Sequence, residues 1–353
     1  MDGYTSILRP LLFRMPADTA HDLGRAALRW PAPWRLLAGS ARADDRLATD
    51  LGGLQLASPI GLAPGFDKRG DLVPALVELG FGYVVVGSIT SEPRAGNPKP
   101  RLHRYPDRLS LTNCMGMPNP GVAAAVRLLD RQRSRGCRVL AAVAGTSVED
   151  VVRLAATVEP HVDAVEVGLV CRHSPETFEM AELPTVTAIL EGVGRQKTKP
   201  TFVKIPPHHT TAERQRTLAI VDACIANGIE GVSVSGTEQI AEPKLSTGEG
   251  GLAGKATTDD AFRILGDVAD RAAGRLAIKA SGGIFDGSDA YRFLQAGATA
   301  VELYSAFIYR GPGVARRIAR ELIRELETRG IASVAEIRGQ SSPTPADPVA
   351  ASA

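Results

Sequence analysis

Between about Ser58 and Gly311, short β-branched or apolar runs alternate with helical stretches, and this rhythm leaves few folds open. The candidate strands are Ile60–Pro64, Tyr83–Ile89, Val139–Ala144, Ala164–Val170, Phe202–Ile205, Gly231–Val234, Leu276–Ala280 and Ala300–Leu303. Helical periodicity covers Asp71–Leu79, Gly121–Gln132, Val148–Val158, Met180–Gly192, Ala212–Asn227, Asp259–Ala273 and Gly287–Gln295, and Gly313–Thr328 follows the last strand. Eight βα units in one run predict a (β/α)8 TIM barrel. Periodicity does not register closure, so an open doubly wound sheet is the alternative. A length of 353 residues suits one elaborated barrel.

The expected division is a helical extension over 1–45, a barrel over 46–338 and a tail over 339–353. In the extension, Ile7, Leu8, Leu11, Leu12 and Met15 share one helical face. Ala20, Leu23, Ala27 and Trp30 share a second, before Pro31 and Pro33 stop it. Arg9, Arg14, Arg25, Arg29 and Arg35 punctuate both. Two readings fit: a helical hairpin packed on the barrel, or a pair of amphipathic helices on a membrane surface framing an apolar access route. The tail GQSSPTPADPVAASA is aperiodic, rich in Pro, Ser and Ala, and reads as disordered.

Composition excludes several classes. Lys and Arg number 41 against 39 acidic residues, so no global field calls for nucleic acid. Cys114, Cys137, Cys171 and Cys224 form no C-x-x-C pair, so neither a zinc site nor a disulfide framework is indicated. No apolar run reaches the roughly 20 residues that span a bilayer, and the N-terminus lacks a signal-peptide pattern. A cytoplasmic location follows, with peripheral attachment to the inner face of the membrane as its variant.

Active sites of such barrels lie at the C-terminal ends of the strands. After the first strand, Gly65 permits close backbone approach to a flat ligand in Ala63-Pro64-Gly65-Phe66-Asp67-Lys68, and Lys68 offers a positive charge, unless it is a solvated lysine on a tight turn. Ser88 ends the second strand, and a long proline-stiffened loop, Glu92–Arg101, leads to Leu111–Asn119, where Asn113 offers both donor and acceptor. Lys204 ends the fifth strand in an apolar setting, so it faces either an anionic ligand or a buried carboxylate. Glycine-rich stretches follow: Glu249–Gly254 in the loop after strand six, then Gly282-Gly283 after strand seven, with Tyr304-Ser305 after strand eight. Backbone N–H groups there commonly face a phosphate. Cys171 closes strand four beside Arg172 and His173 and is either a thiol that takes a proton or a small hydrophobe. Cys114, Cys137 and Cys224 read as packing, and His208 and His209 as polar loop residues.

The strings GLAPGFDKRG, VGSITSEPRAGNPKPR, NCMGMPN, FVKI, GGLAGK, SGGIFDGSDA and ELYSAFIYRGPG together resemble the dihydroorotate dehydrogenase family, over residues 4 to about 328. The N-terminal YTSILRPLLFRMPADTAHDL is similar to the membrane-associated, quinone-using class. The resemblance implies FMN in the barrel mouth, contacted by Ala63, Gly65, Ser88, Lys204, Gly254, Gly282, Gly283, Tyr304 and Ser305. It implies a substrate held by Lys68 and Asn113; Arg172 and His173, where this chain departs from the family, and Thr237 are expected beside it and favour an anionic molecule. Cys171 takes the place of the family's base; pairing His173–Thr177 with Ser-Ser-Pro-Asn-Thr makes Ser174 the base instead.

The departures bear on the substrate. Where the family carries asparagines, this chain has Val143, Gly168, His173 and Gly236, and a proline becomes Arg172. Lost hydrogen-bond partners typically cost ~1–3 kcal/mol each. The expectation is therefore an FMN-dependent oxidoreductase that works on a C–C bond beside a carbonyl or carboxylate, with a substrate altered from dihydroorotate. Authentic quinone-dependent dihydroorotate oxidation is the first alternative, and a degenerate flavin-binding module the second.

Overall fold

The computed structural model describes residues 3–38, 44–131, 137–169 and 182–337. Along the chain the strands are β1 (Thr49–Leu51), β2 (Leu54–Leu56), β3 (Ile60–Leu62), β4 (Tyr83–Ile89), β5 (Leu102–Tyr105), β6 (Ser110–Asn113) and β7 (Arg138–Val143). They continue as β8 (Ala164–Gly168), β9 (Thr201–Lys204), β10 (Gly231–Ser235), β11 (Glu238–Ala241), β12 (Glu249–Gly254), β13 (Ala277–Ser281) and β14 (Ala300–Leu303).

Eight of them, β3, β4, β7, β8, β9, β10, β13 and β14, pair in parallel and close on themselves. Pairing of Val301 in β14 with Ile60 in β3 completes the ring, which settles the barrel against the open sheet. The apolar runs of the strands are buried on both faces, as a barrel wrapped in helices requires. Large and small residues alternate inside. The Tyr83 ring lies across Gly61 and the Phe202 ring across Gly231, where any Cβ would come within 2.2 Å and 2.6 Å of ring carbons. The antiparallel hairpin β1–β2 places Leu51, Leu54 and Leu56 in one apolar cluster with Tyr83, Leu140 and Phe202.

A second sheet, of order β11-β12-β6-β5, lies outside the barrel. Glu249–Gly254, expected in a loop, is one of its strands, and β5 and β6 follow the proline-stiffened Glu92–Arg101 segment. Their partners are far apart in the chain, Asn113 opposite Gly251 for example, and short glycine-rich segments carry no local alternation that would announce them.

The N-terminal residues form a π-type turn (Tyr4–Leu8), then α1 (Arg9–Phe13), α2 (Ala17–Leu28) and α3 (Pro31–Ala38). The second helix ends before Pro31 as expected, and Pro31 also starts a further helix, because proline fits a first helical position. Polar side chains dock the extension. Tyr4 Oη donates to Ile308 O at 2.6 Å, and Arg25 donates to Phe66 O at 2.6 Å and pairs with Asp71 at 3.0 Å. Arg101 pairs with Asp18 at 3.2 Å.

Candidate functional site

A polar cavity opens where the barrel strands end, and its walls come from several βα loops. The first wall is the turn after β3. Gly65 there has φ +97°, donates to Gly87 O at 2.8 Å and packs under Tyr304, whose hydroxyl donates back to Gly65 O at 3.3 Å. Asp67 is fully buried and accepts from Gly70 N and Leu72 N, both at 2.9 Å. Burial pushes its carboxyl up to about 6 against those backbone bonds. So braced, the turn turns Lys68 inward. Its ammonium donates to Gly65 O, and the residue is 8% exposed, which removes the solvated-lysine reading. Burial, then Arg25 and Arg101, push the Lys68 ammonium down to about 7.

Ala63, Gly65, Ser88 and Lys204 line the barrel side of this cavity of about 270 Å³. Gly254, Gly282, Gly283, Tyr304 and Ser305 line another side, and Lys68, Asn113 and Thr237 complete it. Asn113 reaches it from the end of β6, where β12 and β5 flank it. All the described residues expected at the site thus meet in one cavity. Cys171, Arg172, His173 and Ser174 lie outside the described residues. Among the described residues, Lys204 has no ion-pair partner within 4 Å, so the buried Lys–carboxylate pair expected as its alternative is not formed there.

Two glycines of this lining are pressed against the protein behind them and tolerate no side chain. Gly283 has φ +72°, and a Cβ on it would lie 1.9 Å from Thr258 Oγ1. A Cβ on Gly254, at φ +113°, would lie 2.5 Å from Leu109 O. A flat phosphorylated group fits such a site: backbone approaches closely on one side, and the Lys204 ammonium waits on the other.

A second cavity, about 360 Å³, is apolar and lies between the extension and the barrel. Leu8, Leu12, Phe13, Leu23, Gly24 and Phe307 are among its walls. Leu111 lines both cavities. Arg104 stands over the Phe13 ring at 4.5 Å and donates to Leu12 O at 3.1 Å and to Met15 O, which fastens the end of α1 and the turn after it to β5. Burial, then Lys68 and Arg25, push the His21 imidazole down to about 3, so it is neutral beside this pocket. Ile7, Leu8, Leu11, Leu23 and Trp30 are exposed on the extension, Trp30 by 73%. Among the described residues no helix is long and apolar enough to cross a membrane.

One minor expectation changes, for His208, and the reading of three cysteines as packing stands. His208 is buried, not a loop surface residue, and its Nε2 lies 2.9 Å from Asp267 Oδ2. Cys114 is fully buried against Pro100 O and Ser246 Oγ, while burial pushes the Cys137 and Cys224 thiols up to about 12, so these three pack. Sequence reading missed Glu166, Lys279 and Glu302, charged residues inside the barrel. The signal was present: each interrupts an apolar strand, as Lys204 does.

The fold, with a polar cavity at the strand ends, is that of a (β/α)8-barrel enzyme. A family model described as dihydroorotate dehydrogenase matches residues 46–326. A dihydroorotate dehydrogenase (quinone) of Roseiflexus sp. is 33% identical over 96% of this chain and 99% of its own. Another, of Deinococcus deserti, is 35% identical over 95% and 99%. The crystal structure of the Eimeria tenella enzyme in complex with ferulenol superposes with a TM-score of 0.84 at 26% identity, covering 93% of this chain and 98% of that one. The chain belongs to the dihydroorotate dehydrogenase family, on the side of its quinone-using members, and is an oxidoreductase acting on CH–CH groups.

Proposed function

We propose that this protein is a quinone-dependent dihydroorotate dehydrogenase carrying FMN in the strand-end cavity. The observation that carries the reading is the meeting of Lys68, Asn113 and Lys204 with the glycines Gly254, Gly282 and Gly283 in one strand-end cavity. FMN, when bound, supplies the acceptor for hydride. Lys68 holds the substrate carboxylate, and Asn113 orients the ring amides through its paired donor and acceptor. Lys204 places a positive charge beside the cofactor. Gly254, Gly282, Gly283 and the Tyr304-Ser305 backbone hold its phosphate, and Ala63, Gly65 and Ser88 border its ring. Thr237, Arg172 and His173 complete the substrate side. Cys171, or Ser174 in the shifted pairing, takes the substrate proton.

The apolar cavity under α1 and α2 is the quinone route in this reading, and the exposed Ile7, Leu11, Leu23 and Trp30 rest on a membrane surface. The extension is thus both packed on the barrel and open on its outer edge. Its role as a unit apart from the barrel belongs to the same proposal.

One observation favours a second reading, a related carboxylate in place of dihydroorotate. Gly236 is wedged so that a Cβ would lie 2.6 Å from both Thr257 O and Ala261 N, and Val143 is fully buried. No side chain fits at Gly236, and Val143 offers no hydrogen bond. The test is the purified holoprotein. Anaerobic bleaching of the yellow flavin by dihydroorotate, with recovery on adding a short-chain quinone, is expected. Bleaching only by other carboxylates hands the site to the second reading, and a protein that takes up no FMN refutes both.

A further inference from the structure

Barrel interiors are ordinarily filled by layers of branched apolar side chains. Beneath the polar cavity this barrel instead holds a cluster of charges. Lys279 is 0% exposed, and its ammonium donates to Glu166 Oε2 at 2.5 Å and to Glu302 Oε1 at 3.0 Å. Ser233 Oγ also donates to Glu166 Oε2, at 2.5 Å, and Tyr83 Oη donates to Glu302 Oε1 at 3.4 Å. Glu166 Oε1 is buried with no partner. A buried ion cluster of this kind is weak support for stability, since well-packed apolar residues often serve as well. Glu302, however, is also part of the lining of the cavity, as is Lys204. The cluster is therefore in electrical contact with whatever the cavity holds.

We propose that Glu302 is a proton-accepting positioning residue for the cofactor: it takes up one proton from solvent when the cavity gains negative charge, and Lys279 and Glu166 set its readiness to do so. The inference rests on the FMN reading above. Its balance is complete without another reagent. Two electrons and one proton leave the substrate as hydride for the cofactor, the substrate's other proton goes to the base, and the proton on Glu302 arrives from water through the open cavity.

The groups facing Glu302 are Tyr83 from β4, Glu166 from β8, Lys204 from β9 and Lys279 from β13, while β10 supplies the neutral Ser233 and β3 only Ile60, Gly61 and Leu62. Burial and then the Glu166 carboxylate push the Glu302 carboxyl up, against Lys279 and Lys204. Burial alone would raise Glu166 too, but Lys279, Lys204 and two hydrogen bonds hold it down. The Tyr83 hydroxyl, pushed well up by burial and by both carboxylates, remains a donor. Of the two glutamates, Glu302 is thus the one that protonates first.

The test is the pH dependence of the midpoint potential of FMN in the holoprotein, joined to proton uptake on anaerobic photoreduction read with an indicator dye. Two protons per two electrons are expected over part of the range pH 6–8.5, a slope of ~59 mV per pH unit at ~29.6 mV per tenfold change for a two-electron couple. In Glu302→Gln the slope falls to ~30 mV per pH unit and uptake drops by one proton. Uptake of a single proton by the wild type throughout this range overturns the proposal even if the variant fails to fold, and so does a variant that keeps the steeper slope. Failure to bind FMN instead overturns the function reading, and this inference with it.

Discussion

Lys68 gives the site a pH dependence that can be worked out in advance. Its ammonium is pushed down to about 7 by burial, Arg25 and Arg101, so it loses its charge near neutrality instead of near pH 10. An anion bound by the protonated form then weakens as pH rises. With a pKa near 7, apparent Kd scales as one plus the deprotonated-to-protonated ratio, giving a ~16-fold loss between pH 7 and 8.5, or ~1.6 kcal/mol. Neighbouring groups do not blur this limb. Asp67, pushed up to about 6, is largely ionised by pH 7, and His21, pushed down to about 3, is neutral throughout. Orotate, the oxidised product, suits the measurement because its carboxylate stays charged and its binding perturbs flavin absorbance. Arg25→Gln removes one of the charges that depress Lys68, so the midpoint should move to higher pH while affinity at pH 8.5 improves. Lys68→Met should bind weakly at every pH, with no limb. An orotate Kd that is flat from pH 7 to 8.5 in the wild type, or a limb that persists in Lys68→Met, refutes the argument.

Three other outcomes follow from the geometry. Gly283→Ala forces a Cβ to within 1.9 Å of Thr258 Oγ1 at φ +72°, and the purified variant should retain at most about a tenth of the wild-type FMN, read from its absorbance, since strained backbone of this kind costs ~1–3 kcal/mol before the clash is counted. Gly24→Leu projects into the apolar cavity from a helical position with nothing within 4 Å of its Cβ, so the KM for a short-chain quinone should rise about tenfold while the rate of anaerobic bleaching stays unchanged. Lys279→Met strips the cation from two buried carboxylates at a cost of ~3–5 kcal/mol, which over 353 residues is a fall of ~4–7 °C in Tm at pH 8. Without the cation both glutamates have folded pKa values above their unfolded ones, so the deficit should shrink as pH falls towards 4, and an equal deficit at both pH values would be evidence against the cluster's charge state.

The barrel was legible because its strands are buried on both faces and its helices on one, so period and composition both report it. Tyr83–Ile89 and Ala300–Leu303 fall where the alternation puts them, and the helices Val148–Val158 and Gly287–Gln295 agree to the residue. The cavity walls were legible for a different reason: Gly65, Lys204 and Gly282-Gly283 sit at strand ends, where residue type is constrained by what must approach. The sheet formed by β5, β6, β11 and β12 was not legible, since its pairing joins segments distant in sequence. Nor was the interior charge cluster. Glu166, Lys279 and Glu302 each look like a misplaced charge when read alone, and only the ring closure that brings β8, β13 and β14 around one axis shows that Lys279 pairs with both glutamates.

On the quinone reading, the two cavities pose a problem that their walls answer. The polar cavity must admit an anion and the apolar one a lipid-like ring, yet neither should enter the other. Leu111 is shared by both, and Phe66 stands edge-on to Tyr304 at 5.9 Å and against Phe307 at 4.9 Å, so the partition is built of apolar side chains. On the polar side Lys68, with Arg25 and Arg101 near it, favours a carboxylate, and burial together with these charges keeps His21 neutral at the edge of the apolar pocket. The same positive charge thus draws the acid substrate and spares the quinone route a buried imidazolium. A barrier one side chain thick stops molecules of either kind but is thin enough for electrons. That is the division of labour that alternating use of one cofactor by two chemically unlike partners demands.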